Sequence, residues 1–299
     1  KGATPMNVIQ YLFSGITVGS IYAIVAIGYN IIYNTTGIIN FAQGEFLVLG
    51  ALTAISFLGI FSTSLALPFA AALILAVLAA VVITTAVGAA IEFIFIRWIK
   101  NPTVIRLIII TIGLSLLMRE IFLHVWDEQV HNLAHFTGSE VSSLNILGAH
   151  ISPQVLWVLG TAAVIVTALG LFFRFTLTGK AMRACSANRT AARLCGINVR
   201  FMVTLSFMIS AGIGALAGCV TSPITQTQYD MGSHLAIKGF TVAIVGGLGN
   251  SYAAVAGGLL LGILEAFSIK FLPNAYKDVV AIVILLVILI LKPSGLFGS

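Results

Sequence analysis

Apolar residues run along this chain in long blocks, without the alternation of a half-buried strand or the narrow stripe of a soluble helix. Five stretches carry no charged side chain: 2–44, 46–91, 141–173, 201–229 and 239–264. Each exceeds the roughly 20 apolar residues that cross a bilayer as helix. The pattern therefore predicts an all-α polytopic membrane protein. A membrane barrel would show segments of about ten residues alternating apolar and polar, and runs such as 70–82 do not alternate. Spans are predicted at about 8–33, 40–58, 65–96, 103–123, 153–175, 201–222, 252–269 and 279–291. With a shorter apolar piece at 235–245, this gives about eight or nine transmembrane helices. The short piece ends at Gly246-Gly247-Leu248-Gly249-Asn250, which breaks a helix, so it is either a full short span or a re-entrant half-helix.

Composition sharpens this picture. Of 299 residues, 59% are hydrophobic and 8% charged, which excludes a water-soluble globule. The formal charge of +6 is no sign of nucleic acid, because the Lys and Arg sit at the ends of apolar runs and in two connecting segments. One holds Arg174, Lys180, Arg183, Arg189, Arg193 and Arg200 with no acid, and the other holds Arg97, Lys100 and Arg106. The intervening segment 124–152 carries Asp127, Glu128 and Glu140 with no Lys or Arg. Positive charge marks the cytoplasmic side, so 176–200 is a cytoplasmic loop and 124–152 an external one. One span separates 124–152 from each basic loop, so the assignments agree. If 235–245 spans, the C-terminus is cytoplasmic and the N-terminus external; if it is re-entrant, the C-terminus flips. The first apolar stretch is longer than a signal-peptide core and reads as a retained span. Cys185, Cys195 and Cys219 are odd in number and lack C-x-x-C spacing, so they read as free thiols.

Within the basic loop, Ala181, Ala184, Ala187, Ala191, Ala192 and Leu194 are interleaved with Arg183, Arg189 and Arg193, and Gly196 falls where a helix would be capped. This predicts one amphipathic helix, held by its arginines to anionic lipid or serving as a docking element for a cytoplasmic protein. Glu45 and Glu265 interrupt apolar runs, where a carboxylate costs about 2.5–3.5 kcal/mol. Glu45 lies near the headgroups, on a path, or in a structural pair; Glu265 reads as structurally paired, with Lys270 close by. His131 and His135 have i, i+4 spacing, but no third ligand completes a metal site, and none is expected. Gly15/Gly19, Gly214/Gly218 and Gly258/Gly262 form small-x-x-x-small faces suited to close helix packing. Gly179-Lys180 is followed by Ala181, so there is no phosphate loop and the chain does not hydrolyse ATP itself. No catalytic residue is expected. Two rival classes, an ion-coupled secondary transporter and a channel, lack support: paired buried acids and bases are missing from the pattern, and no filter-like repeat is visible.

Four stretches carry a family resemblance. They are Gly37-Ile38-Ile39-Asn40-Phe41-Ala42-Gln43-Gly44-Glu45, the segment Gly179-Lys180-Ala181-Met182-Arg183-Ala184 running on to Asn198, the run from Lys238 to Gly249, and Lys292-Pro293-Ser294-Gly295-Leu296-Phe297-Gly298. Together they resemble the H-type permease of bacterial branched-chain amino acid ABC importers, although this chain has Gln43 where the family usually has His. The resemblance implies the ABC importer permease fold in one permease domain over 1–299, embedded in the bacterial inner membrane and needing no cofactor. It implies three kinds of partner, a second, related permease, two cytoplasmic ATPases and a periplasmic substrate-binding protein, beside the membrane lipid already suggested by the basic loop. By the same resemblance Ala181, Arg183, Ala184, Arg189, Ala191, Ala192, Arg193 and Gly196 belong to a coupling helix that docks on the ATPase. The implied substrates are Leu, Ile and Val, and importers of urea or short amides, which are similar, give the alternative. Polar residues of the early spans, Thr36, Asn40, Gln43, Glu45, Thr111 and Ser115, are the candidates for lining the path.

Overall fold

The computed structural model describes residues 5–99, 103–138, 142–146, 149–269, 277–292 and 295. Lys100, Glu140 and Lys270, on which the charge and pairing readings drew, lie outside the described residues. The helices are α1 (Pro5–Thr36), α2 (Gln43–Thr63), α3 (Phe69–Ile91), α4 (Val104–Trp126), α5 (Pro153–Phe175) and α6 (Leu177–Ala187). They continue as α7 (Arg189–Leu194), α8 (Val199–Thr225), α9 (Met231–Gly246), α10 (Ser251–Ser268) and α11 (Lys277–Leu291). A π-helical turn, Glu92–Ile96, extends α3, and a short antiparallel hairpin pairs β1 (Leu144–Ile146) with β2 (Ala149–Ile151).

Local chemistry sets several boundaries. Ser152 accepts a hydrogen bond from Gln154 N ahead of Pro153 at the first turn of α5, and Asn198 accepts one from Phe201 N at the start of α8. Asn250 caps α10 by accepting from Tyr252 N at 3.1 Å and Ala253 N at 3.2 Å. Several buried hydroxyls are satisfied within their own helices, as where Thr17, Ser20 and Thr241 donate to the carbonyls of Phe13, Ile16 and Ile237.

All helices except α6 and α7 run between two ends of one bundle. At the acidic end His131 bridges to Thr227, Gln10 donates to the His150 carbonyl, and Tyr11 packs on Phe267. At the basic end Asn34 donates to the Gly249 carbonyl, and Arg97, Arg183 and Arg189 cluster near the ends of α3, α6 and α7. The short apolar piece is thereby resolved. Thr227, just before α9, is at the acidic end, whereas Gly247, with φ 113°, ends the helix at the basic one. α9 therefore connects the ends and does not double back.

α1 is the central helix, buried on all sides from Gly19 to Ile32. It crosses α10 at near-backbone contact: a Cβ on Gly19 would stand 2.6 Å from the Gly258 carbonyl oxygen, and one on Gly15 2.7 Å from Ile263 Cα. The glycine pairs of these two helices are thus each other's partners. In lipid, where burying apolar surface gains little, such close approach is what drives helices together. Gly214 and Gly218 admit α2 in the same way at Phe46 and Leu47. The outer helices α3, α4 and α5 expose large apolar side chains such as Ile74, Val82, Ile105, Ile109 and Val164, as lipid-facing surfaces do.

Candidate functional site

The path candidates converge, apart from one, on the start of α2. The chain turns back into the bundle after α1, and Asn40 Oδ1 accepts from Ala42 N at 3.2 Å to hold the turn. As a result α2 begins at Gln43, inside the protein and three residues later than the polar pattern indicated. Gln43 Oε1 lies 2.6 Å from Ser210 Oγ, which is also 2.9 Å from the Gly28 carbonyl. Only the absence of a side chain at Gly28 leaves room for Gln43. Thr111 Oγ1 is 3.0 Å from the Ile108 carbonyl and 3.5 Å from that of Ile39, on the turn.

Glu45 is fully buried, which removes the headgroup reading and leaves the path and the structural pair. Its Oε1 accepts from Ser115 Oγ at 2.8 Å, and its other oxygen faces Gly232 in the first turn of α9. Arg119 and Asp230 are the nearby charged groups. Thr36 is the exception among the candidates: it donates to the Ile32 carbonyl at 2.6 Å and lines a cavity at the basic end with Glu92, Arg97 and Arg189.

A second polar group was not foreseen. Lys238 Nζ lies 2.6 Å from Glu265 Oε1 and 2.9 Å from Tyr22 Oη, joining α9, α10 and α1. The side chains are 12% and 0% exposed. This corrects the reading that the spans lack a buried acid–base pair. It also gives Glu265 a cation from the neighbouring α9, where Lys270 had been expected. Lys238 was read only as the edge of a charge-free run and the start of a family-like stretch, since hydropathy does not show which helix faces it.

The basic loop forms two helices where one was predicted. Asn188, at φ −159° and ψ 108°, ends α6 and caps α7 by accepting from Ala191 N at 3.0 Å. Gly196, with φ 81°, ends α7: Ile197 N donates to the Ala192 carbonyl and Gly196 N to that of Arg193, the hydrogen-bond pair of a left-handed helix stop. α6 packs tightly on α5, with Gly179 against the Phe172 carbonyl and Met182 buried. Burial also pushes the Cys185 thiol above its ordinary pKa, opposed by the charge of Arg189.

Ala181 and Ala184 pack against the bundle core, and Ala192 is 4% exposed within it. Their small size therefore has an internal cause, and Ala192, counted above among the docking residues, faces the bundle instead. The outward face is Arg189, Ala191, Arg193 and Gly196 with Leu194, 84% exposed, whereas Arg183, also exposed, lines cavities against α5. This face sets two arginines beside an exposed leucine. The loop histidine His131 is engaged, with Nε2 2.6 Å from the Trp126 carbonyl.

Comparison with known proteins places this geometry in context. Residues 11–289 match the family described as branched-chain amino acid transport system, permease component. The chain is 33% identical to the high-affinity branched-chain amino acid transport system permease protein LivH of Salmonella typhimurium, over 97% of this chain and 95% of the relative. It is 32% identical to the corresponding protein BraD of Pseudomonas aeruginosa, again over 97% and 95%. A ribose import permease protein, RbsC of Escherichia coli, is 25% identical over 94% of this chain and 85% of its own length.

Proposed function

We propose that this chain, which belongs to the family of branched-chain amino acid transport system permease components, forms half of the translocation unit of an ATP-driven importer for Leu, Ile and Val. The match along nearly the whole chain carries this reading. The basic end lies in the cytoplasm of a bacterium and the acidic end outside its inner membrane. A second, related permease completes the unit, two separate ATPases dock on the α6–α7 face, and a periplasmic binding protein delivers the solute at the acidic end.

The seam around Glu45 suits such a role. It brings a carboxylate, hydroxyls and amides together without a cluster of one charge, which fits a zwitterionic solute. α2 starts within the bundle, and its Gly44 meets Gly232 in the first turn of α9. A small rigid shift of α9 against α2 would part them, and alternating access requires such a two-state element. α6, seated on α5, carries the motion of the ATPases to the bundle.

Reconstitution with its partners tests the assignment. Uptake of Leu into vesicles should require ATP and be inhibited by Ile and Val far more than by urea or phenylalanine. Urea outcompeting Leu would move the substrate to the short-amide class, and ATP-independent uptake by the chain alone would make it a secondary transporter.

The docking face makes a separate prediction. Ala191 points outward, so Ala191→Trp should reduce co-purification of the ATPases and substrate-stimulated hydrolysis by about tenfold, a loss of the size seen at the minority of interface positions that carry binding energy. Ala192→Trp should instead damage the fold of this chain, because the site is buried. Normal assembly and transport with Ala191→Trp would leave the loop as a mere connector.

A further inference from the structure

At the basic end, α5, α6 and the start of α10 enclose a groove made of two adjoining cavities of about 370 and 480 Å³. The cavities share Phe173, Arg183, Ser251 and Tyr252. The inner one is floored by Val166 and Leu169 and rimmed by Arg174 and Arg183. No acidic residue lines either cavity among the described residues, and neither arginine is in an ion pair there. Just beyond the rim, Phe175 and Leu177 are 64% and 84% exposed. Apolar side chains so exposed beside arginines mark the boundary between hydrocarbon and headgroups. Tyr252, 64% exposed with its hydroxyl against Gly170, occupies the same level, where tyrosine is enriched in membrane proteins.

We propose that this groove binds one anionic phospholipid, with its phosphate at Arg174 and Arg183 and an acyl chain along Val166 and Leu169. Guanidinium groups pair with phosphate oxygens through charge-assisted hydrogen bonds, and basic pockets between helices on the cytoplasmic side are typical headgroup sites. The apolar floor distinguishes the site from one for free phosphate. Because Met182, Arg183 and Ser186 of α6 line the groove, the lipid fastens the docking element to the bundle. The site is independent of the solute transported.

Native mass spectrometry of the full chain in detergent tests this, using phosphatidylglycerol against phosphatidylcholine of the same acyl composition. The wild type should prefer phosphatidylglycerol. Arg174→Gln with Arg183→Gln should weaken that lipid by about 25-fold, about fivefold for each cation at a membrane surface, and leave phosphatidylcholine unchanged. Arg97→Gln with Arg106→Gln, which removes the same charge from the same end, should have less than about a twofold effect. Val166→Trp, filling the floor, should weaken both lipids. Equal affinity of the wild type for the two lipids, or an equal loss in the control pair, would overturn the site. So would release of bound phosphatidylglycerol on adding the second permease, which would assign the groove to that subunit.

Discussion

Gly19→Leu is expected to remove the folded protein almost completely from detergent extracts. The new side chain would begin 2.6 Å from the Gly258 carbonyl oxygen, and backbone cannot swing aside as a flexible side chain does. Ordinary overpacking costs about 1–3 kcal/mol. Here the two helices must separate along their whole crossing, so the loss should exceed about 3 kcal/mol, a large share of the 5–15 kcal/mol that holds a typical protein folded. Gly59→Leu supplies the comparison, since a Cβ there meets nothing within 4 Å. Fluorescence-detected size-exclusion chromatography should show a monodisperse peak for Gly59→Leu and none for Gly19→Leu. A Gly19→Leu protein that melts within a few degrees of wild type would contradict the α1–α10 crossing described above.

Lys238→Met should be nearly as damaging, for an electrostatic reason. It removes the ammonium 2.6 Å from a fully buried carboxylate, and breaking a buried pair from one side costs about 3–5 kcal/mol. Replacing both partners, as in Lys238→Met with Glu265→Leu, removes both members of the ion pair together and should recover most of the stability. Thermal unfolding of the two single variants and the double variant gives the coupling directly. Uptake adds an independent reading. If the double variant is stable and still imports Leu, the pair is structural. If it is stable and inactive, the pair takes part in transport, and an ion-coupled mechanism regains ground.

Where the signal in the sequence is local, the elements could be placed closely. α5 was bounded correctly because Ser152 and Pro153 announce its start and Arg174 its end. The stop at Gly196 was legible for the same reason. The start of α2 was misplaced because Asn40 and Gln43 look like interfacial residues, yet the chain re-enters the bundle there. Hydropathy cannot distinguish water at a membrane surface from a polar seam inside a protein. The break at Asn188 was marked by a residue that favours caps over helix interiors, but the alanines on both sides of it read as one continuous helix. The glycine faces were visible as spacings, but nothing within four residues of Gly15 says that its partner is more than 240 positions away. The same limit concealed Lys238, whose partner and hydroxyl neighbour lie on two other helices. Five of the six path candidates were gathered near the start of α2 by the fold, and Thr36 was set apart at the end of α1.

The pairing of the first helix with the tenth also sets an order of events during synthesis. α1 ends at Thr36, whereas its principal neighbour begins at Ser251. At the about 5–20 residues per second of bacterial translation, α1 waits on the order of tens of seconds in the bilayer before that surface exists. Through that interval its exposed glycines, Asn30 and Asn34 are open to chaperones or to the wrong helix. A chain interrupted before Ser251 would never bury them. Quality control of this protein should therefore read the exposed face of its first span, and the moment of release should coincide with the emergence of the last helices.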